Sequence, residues 1–505
     1  MGRDSRWCKR RVRNFPLSKN LGWLSFLALA AVLATLPMLS WGAQPPSKAR
    51  TSTGCTVKST NYLGWKAEQL ANRWVTLEIV PQIGGRLMQV TFNGHDFLYI
   101  NSQAQGQVFT PQTTGRGPRN YGGDKIWPLP EGDQDEQHWQ QGGFQPLDYG
   151  NYELQVLSHG PTCAVRMTGP PSPDIGQRYI REISIGSDSP VISFHNVMQN
   201  TSGFPQTWSE QTISEYPTHN PDGTLNTNLW SFTQLNPQSA YPGGYHIETG
   251  PKDNDAYSVT DGNLRVHWNN ISQEVWIDSP SGWLAEVDGS SGYTMVERHH
   301  IDPNAEYPGK ATIIFYSAGA RRPRPAQTQP GMPSDPQQQP QQAQPPSQTP
   351  AQSESQRQNQ PPADGTFIEE EVNSPMVELA PGQSYTLDTT WYPTRMGEDF
   401  KTATWAGVVG TPLTATRTSD GLVLAGNFGV FYSGSLVAHL YPGRELTQQL
   451  MSVNPFEPVK LQTTIQAPPN ISRVSVHLVD ANGVDRGPLG EVLVNPPPPQ
   501  SRRFQ

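Results

Sequence analysis

Residues 120–128 read NYGGDKIWP. A carboxylate, an amine, a pair of glycines and a pair of aromatic rings stand side by side there. Asp124 and Lys125 could form a fixed charge pair, and Tyr121 and Trp127 offer aromatic faces. Gly122 and Gly123 let the backbone bend sharply or approach a ligand closely. This set suits a polar, non-ionic ring such as a sugar. On composition alone it also reads as a turn that carries a solvated ion pair and tucks a tryptophan into the core. A second acidic set is Glu369-Glu370-Glu371. In a strand, Glu369 and Glu371 share one face and Glu370 points away. Two like charges on one buried face are costly unless a ligand, a cation or Lys125 stands between them; an acidic edge strand facing water is the alternative. His299 and His300 would point opposite ways on a strand and read as a surface turn. Asp133, Asp135 and Glu136 lack the glycine and terminal glutamate of a calcium loop and read as a solvated acidic turn. No serine-nucleophile motif, phosphate loop or zinc spacing occurs, so no cofactor and no metal are expected.

Strands must position these groups. In residues 75–79 apolar and polar side chains alternate with period two, the mark of a strand with one buried face. A Pro81–Gly85 turn leads to a strand over residues 86–92, and Asn93-Gly94 gives a hairpin signal. Residues 101–150 carry little regular pattern and read as one long loop, of the kind that is functional or disordered; the charged stretch sits in its middle. Short strands with turn residues between them then recur from residue 152 to 316. No long segment shows the helical period, so the fold class is all-β, a sandwich or barrel. Residues 319–365 are Gln, Pro and Ser with almost nothing apolar, and are expected to be disordered. Strand text resumes at Phe367, so this tract is either a linker or a long insertion in a surface loop, which adds little closure entropy. Residues 411–495 read as a small immunoglobulin-like β-sandwich, and 496–505 as a disordered tail.

The chain has 505 residues and a net charge of −8. With no basic stripe beyond the N-terminus, nucleic acid is not an expected partner. Arg3, Arg6, Lys9, Arg10, Arg11, Arg13 and Lys19 precede an apolar run at 21–36, and Ser40 and Gly42 suit cleavage near residue 43. Residues 1–43 thus read as a signal peptide, which places the mature chain in the periplasm or outside the cell. An uncleaved anchor is the alternative and would be the only membrane contact. Residues 44–59 read as a flexible lead. Cys8 falls in the signal, leaving Cys55 and Cys163 to form one disulfide or to remain two thiols.

The run from Asn72 to Arg86, NRWVTLEIVPQIGGR, with a hairpin after it, resembles the start of galactose-mutarotase-like (aldose 1-epimerase-like) domains. NYGGDKIWP is similar to a hallmark of an uncharacterised bacterial family in that superfamily. Asn200-Thr-Ser-Gly-Phe-Pro, Trp208 with Gln211, Tyr307-Pro308 and the Phe367–Pro375 stretch add to the likeness, which covers about residues 60–395. The resemblance implies an antiparallel supersandwich interrupted by the insertion at 319–365, with a carbohydrate site in the cup of one sheet. Asn120, Asp124, Lys125, Trp127, Arg86, Trp208 and Gln211 would bind the sugar, and Glu369 or Glu371 would stand where the family has its late glutamate base. The family's mid-chain histidine acid is replaced by Gln206-Thr-Trp-Ser-Glu-Gln211, and Glu210 could donate a proton only with a raised pKa. An aldose epimerase or mutarotase and a non-catalytic glycan-binding or structural envelope protein therefore both remain open.

Overall fold

Alternation in the sequence becomes alternation in burial. The strand Gln177–Gly186 buries every second side chain along its whole length, as does most of Ile192–Asn200. In the computed structural model, which describes residues 54–110, 120–131, 146–268, 270–319, 366–441 and 446–494, such strands assemble into two large sheets in which every strand pair is antiparallel. The first has twelve strands. Its main path runs Thr56–Tyr62, Trp65–Ala71, Val75–Val80, Arg86–Phe92, Asp124–Leu129, Gln206–Pro217, Phe367–Asn373, Ile313–Ala318, Gln273–Ile277, His246–Thr249. The second has ten strands, with Tyr293–His299, Ser384–Arg395 and Ile192–Asn200 adjacent near its middle. Leu77, Val90 and Ile126 from the first sheet and Met167, Ile183, Met198 and Trp391 from the second meet in one apolar core. This is the all-β supersandwich that the strand pattern and the resemblance lead one to expect.

Two four-stranded antiparallel sheets follow, built from strands between Thr402 and Leu493. They enclose a core of their own around Leu424, Phe428, Leu436, Val476 and Leu478. Val408 and Phe431 also pack with Phe232, Trp283 and Phe400, so apolar contact with the ten-stranded sheet is continuous.

Several expectations change. The strand Thr56–Tyr62 begins inside the supposed flexible lead, because it pairs with Trp65–Ala71 and because the Cys55 amide donates to the Gly160 carbonyl at 2.7 Å. Cys55 and Cys163 form a disulfide across 108 residues, with 5.8 Å between their Cα atoms. Closing so long a loop restricts the unfolded chain, so Cys163→Ser should cost about 2–4 kcal/mol; denaturant melts under reducing and non-reducing conditions check this, and the reduced wild type should match the variant. Residues 101–150 are not one loop, since Asp124–Leu129 is a central strand between Arg86–Phe92 and Gln206–Pro217. The strands Ile313–Ala318 and Phe367–Asn373 pair with each other, so the Pro/Gln-rich chain between them joins neighbours in one sheet. That tract beyond Gly319, the signal segment, the tail and the acidic set Asp133, Asp135 and Glu136 lie outside the described residues. Among the described residues no helix is long and apolar enough to cross a membrane.

The middle of the first sheet departs from alternation. From Trp208 to Tyr216, Gln206–Pro217 is buried at every position, and Phe367–Asn373 is buried from Glu370 to Asn373. A sheet with one face in water would alternate. Here the face turned away from the core is covered as well, and polar groups lie under that cover.

Candidate functional site on the outward face of the first sheet

Period two assigns each side chain to a face. Asp124, Glu210, Ser214 and Glu370 point between the sheets; Lys125, Trp127, Gln211, Glu215, Glu369 and Glu371 point outward. The register agrees, with Lys125 opposite Ile213, Trp127 opposite Gln211, Glu371 opposite Ile213 and Glu369 opposite Glu215. Directly opposed residues share a face, so three neighbouring strands bring these groups together.

Gly122 and Gly123 set the approach to this strand. Both have positive φ, 88° and 79°. A Cβ on Gly122 would fall 2.2 Å from the Tyr99 carbonyl oxygen, and one on Gly123 2.6 Å from that of Leu87. The Gly123 amide donates to Tyr99 at 2.8 Å, and the Gly123 carbonyl accepts from the Glu215 amide at 3.1 Å. The glycine pair thus fixes where Glu215 sits relative to Lys125. Gly122→Ala combines backbone strain with a clash and should cost at least about 2 kcal/mol, read as a lowered denaturation midpoint with an unchanged slope.

Lys125 is the hub. Its Nζ lies 3.1 Å from Glu215 Oε1 and 3.1 Å from Glu369 Oε1, and 4.2 Å from the centre of the Trp127 ring. Asn120 Nδ2 donates to the other Glu215 oxygen, and Gln211 Nε2 donates to Glu371. Burial would lower the Lys125 pKa, but Glu215 and Glu369 outweigh it and hold the ammonium well above its ordinary value. For Glu369, burial dominates over Lys125 and raises the carboxyl to about 7. Glu371 is raised well above the carboxylate range, first by burial, then by the charges of Glu369, Glu274 and Glu131. The glutamates therefore separate, Glu371 holding its proton while Glu369 titrates near neutrality. Adjacent carboxyls with divergent pKa values are the arrangement acid–base chemistry uses. The Glu369 side chain keeps 14% of its surface exposed, which makes it the accessible member.

Other site expectations are redistributed. Asp124 is not on this face: its carboxylate pairs with the Arg181 guanidinium in the core, and burial still raises its pKa despite Arg181. Trp208 likewise packs into the apolar core. Arg86 pairs with Asp148 and donates to the Gly122 carbonyl at 3.0 Å, which makes it a brace for the glycine turn. Glu210 does have a raised pKa, through burial, yet it points into the core and neither of its oxygens has a hydrogen-bond partner among the described residues. His299 is no surface residue; it ends a buried strand, and burial pushes its pKa down to about 3.

Sequence reasoning missed Glu215, although it stands at period two from Gln211. It also missed the continuation of the face: Tyr316 opposite Glu369, Glu274 opposite Tyr316, and Trp276, whose indole donates to Glu274. The face thus combines ionisable groups with Trp127, Tyr316 and Trp276.

No protein-family profile matches the chain, and no curated protein sequence matches it. Solved structures to which the chain is similar include a putative aldose 1-epimerase from Klebsiella pneumoniae (11% identity, TM-score 0.41, 68% of this chain and 83% of that one). A galactose mutarotase-like protein from Lactobacillus casei is also similar (9% identity, TM-score 0.39, 65% and 99%). A TPR-domain containing protein from Parabacteroides distasonis is matched over 47% of its length and 65% of this chain, at 14% identity and TM-score 0.38.

Proposed function

We propose that the outward face of the first sheet binds a neutral carbohydrate and that Glu369 and Glu371 move protons at its anomeric centre, as aldose mutarotation requires. The observation that carries this reading is the convergence of Lys125, Gln211, Glu215, Glu369 and Glu371 with Trp127 on one face. Opening a cyclic aldose needs a base for the anomeric hydroxyl proton and an acid for the ring oxygen. A glutamate titrating near 7 suits the base. A neighbouring glutamate that keeps its proton suits the acid, in place of the histidine that the resembled family uses. Lys125, Asn120 and Gln211 supply donors for sugar oxygens, and the aromatic faces suit the apolar side of a pyranose. Export to the periplasm or beyond belongs to the same reading, supported by the basic-then-apolar N-terminus and by a disulfide, which persists in oxidising compartments; cell fractionation tests it.

Polarimetry of α-anomers of common hexoses and pentoses, with and without protein, tests the catalytic part. Saturation-transfer NMR with the same sugars tests binding. No acceleration together with no transfer to any sugar would remove the reading. A second reading, binding without catalysis, is favoured by the Lys125–Glu369 ion pair at 3.1 Å, which occupies the base; it predicts saturation transfer without acceleration.

A further inference from the structure

The second of the small sheets carries a side-chain set unrelated to the face described above. His439 lies on the strand Gly434–Tyr441 and His477 on Arg473–Asp480. These strands pair antiparallel with Val437 opposite His477 and His439 opposite Ser475, so the histidines are diagonal neighbours. Leu436, Ala438, Leu440, Val474, Val476 and Leu478 take the alternate positions and enter the core. The imidazoles therefore face outward, half-buried. Their rings stack with centroids 4.0 Å apart and planes 29° apart. Asp485 is fixed beside them: its Oδ1 accepts from the Gly487 amide at 2.8 Å, and its Oδ2 lies 2.8 Å from His477 Nδ1.

We propose that His439, His477 and Asp485 form a surface site for a divalent transition-metal cation, of which zinc is the representative case. One donor atom from each residue lies within 4.8 Å of the others. Bonds of about 2.0–2.2 Å to nitrogen and oxygen hold donors roughly 3–4 Å apart, so side-chain rotation at an open surface closes the set. A neutral imidazole offers one ring nitrogen as a lone-pair donor and is a common metal ligand. Imidazole donors with one carboxylate favour zinc, copper or nickel over magnesium or calcium. The exposed Asp485 side leaves the remaining positions to water, which makes the site open. The competing account is a surface His477–Asp485 ion pair with His439 stacked upon it.

The test is calorimetric titration of the full chain, stripped with chelator and dialysed, with zinc chloride, and a parallel cobalt(II) titration followed by visible absorption. One saturable equivalent with cobalt ligand-field bands is expected. His439→Ala and His477→Ala should each weaken zinc by more than about tenfold and Asp485→Asn by about tenfold, since even outer-shell changes at metal sites cost 10–100-fold. His195→Ala removes a surface histidine paired with Asp388 and should change nothing. Should an alanine variant melt lower without metal, His439→Gln and His477→Gln repeat the comparison with similar size and polarity. Absence of saturable binding, or equal affinity in the His439→Ala/His477→Ala double variant, overturns the site.

Discussion

Stability of the purified protein should be highest near pH 5 and should fall continuously as the pH is raised to 8. The cause is a set of carboxyls sealed between the sheets. Burial raises Glu297 to about 8. It lifts Glu370 well above the ordinary range, with Glu297 and Glu286 adding to the shift, and it lifts Glu286 likewise. Unfolded, these groups titrate near 4.5. Between 4.5 and the folded value the folded chain binds more protons than the unfolded one, so stability declines with pH over that window. The contribution is complete below about 4.5 and lost as pH rises through about 8. For Glu297 alone it amounts to at most about 5 kcal/mol. Asp480 acts oppositely: against burial, backbone amides and Arg486 hold its carboxyl below 3.8; its contribution is lost as pH falls through the folded value, which sets the acid side of the optimum. Glu297→Gln keeps an acceptor for the Tyr216 hydroxyl, now 2.8 Å from the carboxylate, and removes the titration. Its denaturant midpoint should exceed the wild type at pH 8 and approach it at pH 5. A flat wild-type profile, or parallel profiles for the two proteins, would refute the assignment.

The same acids show what the sequence discloses and what it hides. Period two alone was enough to set Glu369 and Glu371 on one face and Glu370 on the other. The same rule would have separated Asp124 from Lys125, but their strand was not legible. Its charges look like loop text because each is neutralised from a different layer, Asp124 by Arg181 and Lys125 by Glu215 and Glu369. Those partners lie 57, 90 and 244 residues away, beyond the reach of any local pattern. Glu215 escaped for a related reason: a strand buried on both faces has no alternation to reveal its period. The Cys55–Cys163 bridge was open to chance, since spacing does not determine pairing. The all-β class, in contrast, rests on many short local signals that agree, and a few misread strands do not alter it.

On the mutarotase reading proposed above, replacing either glutamate of the outward pair should slow catalysis in distinguishable ways. Glu369→Gln removes the group that titrates near 7 and leaves Lys125 paired with Glu215 at 3.1 Å, so the fold should persist. Glu371→Gln keeps an oxygen for the Gln211 amide but holds no transferable proton. Each change should lower the mutarotation rate by about 10²–10⁴-fold, equivalent to about 3–5 kcal/mol of barrier. Sugar affinity should change far less, because most contacts remain. The pH dependence separates the roles. In the wild type the rate should rise through about pH 7 as Glu369 ionises, then decline at higher pH as Glu371 loses its proton. The residual rate of Glu369→Gln should lack the rise, and that of Glu371→Gln the decline. Lys125→Met is the control for mere structure. It leaves Glu215 and Glu369 buried without their cation, and loss of one partner from a buried ion set costs about 3–5 kcal/mol. That variant should therefore lose stability and activity together, whereas the glutamine variants should lose activity alone. If the glutamine variants melt as low as Lys125→Met, the cluster is a structural ion network; if they retain wild-type rates, proton transfer belongs to other residues.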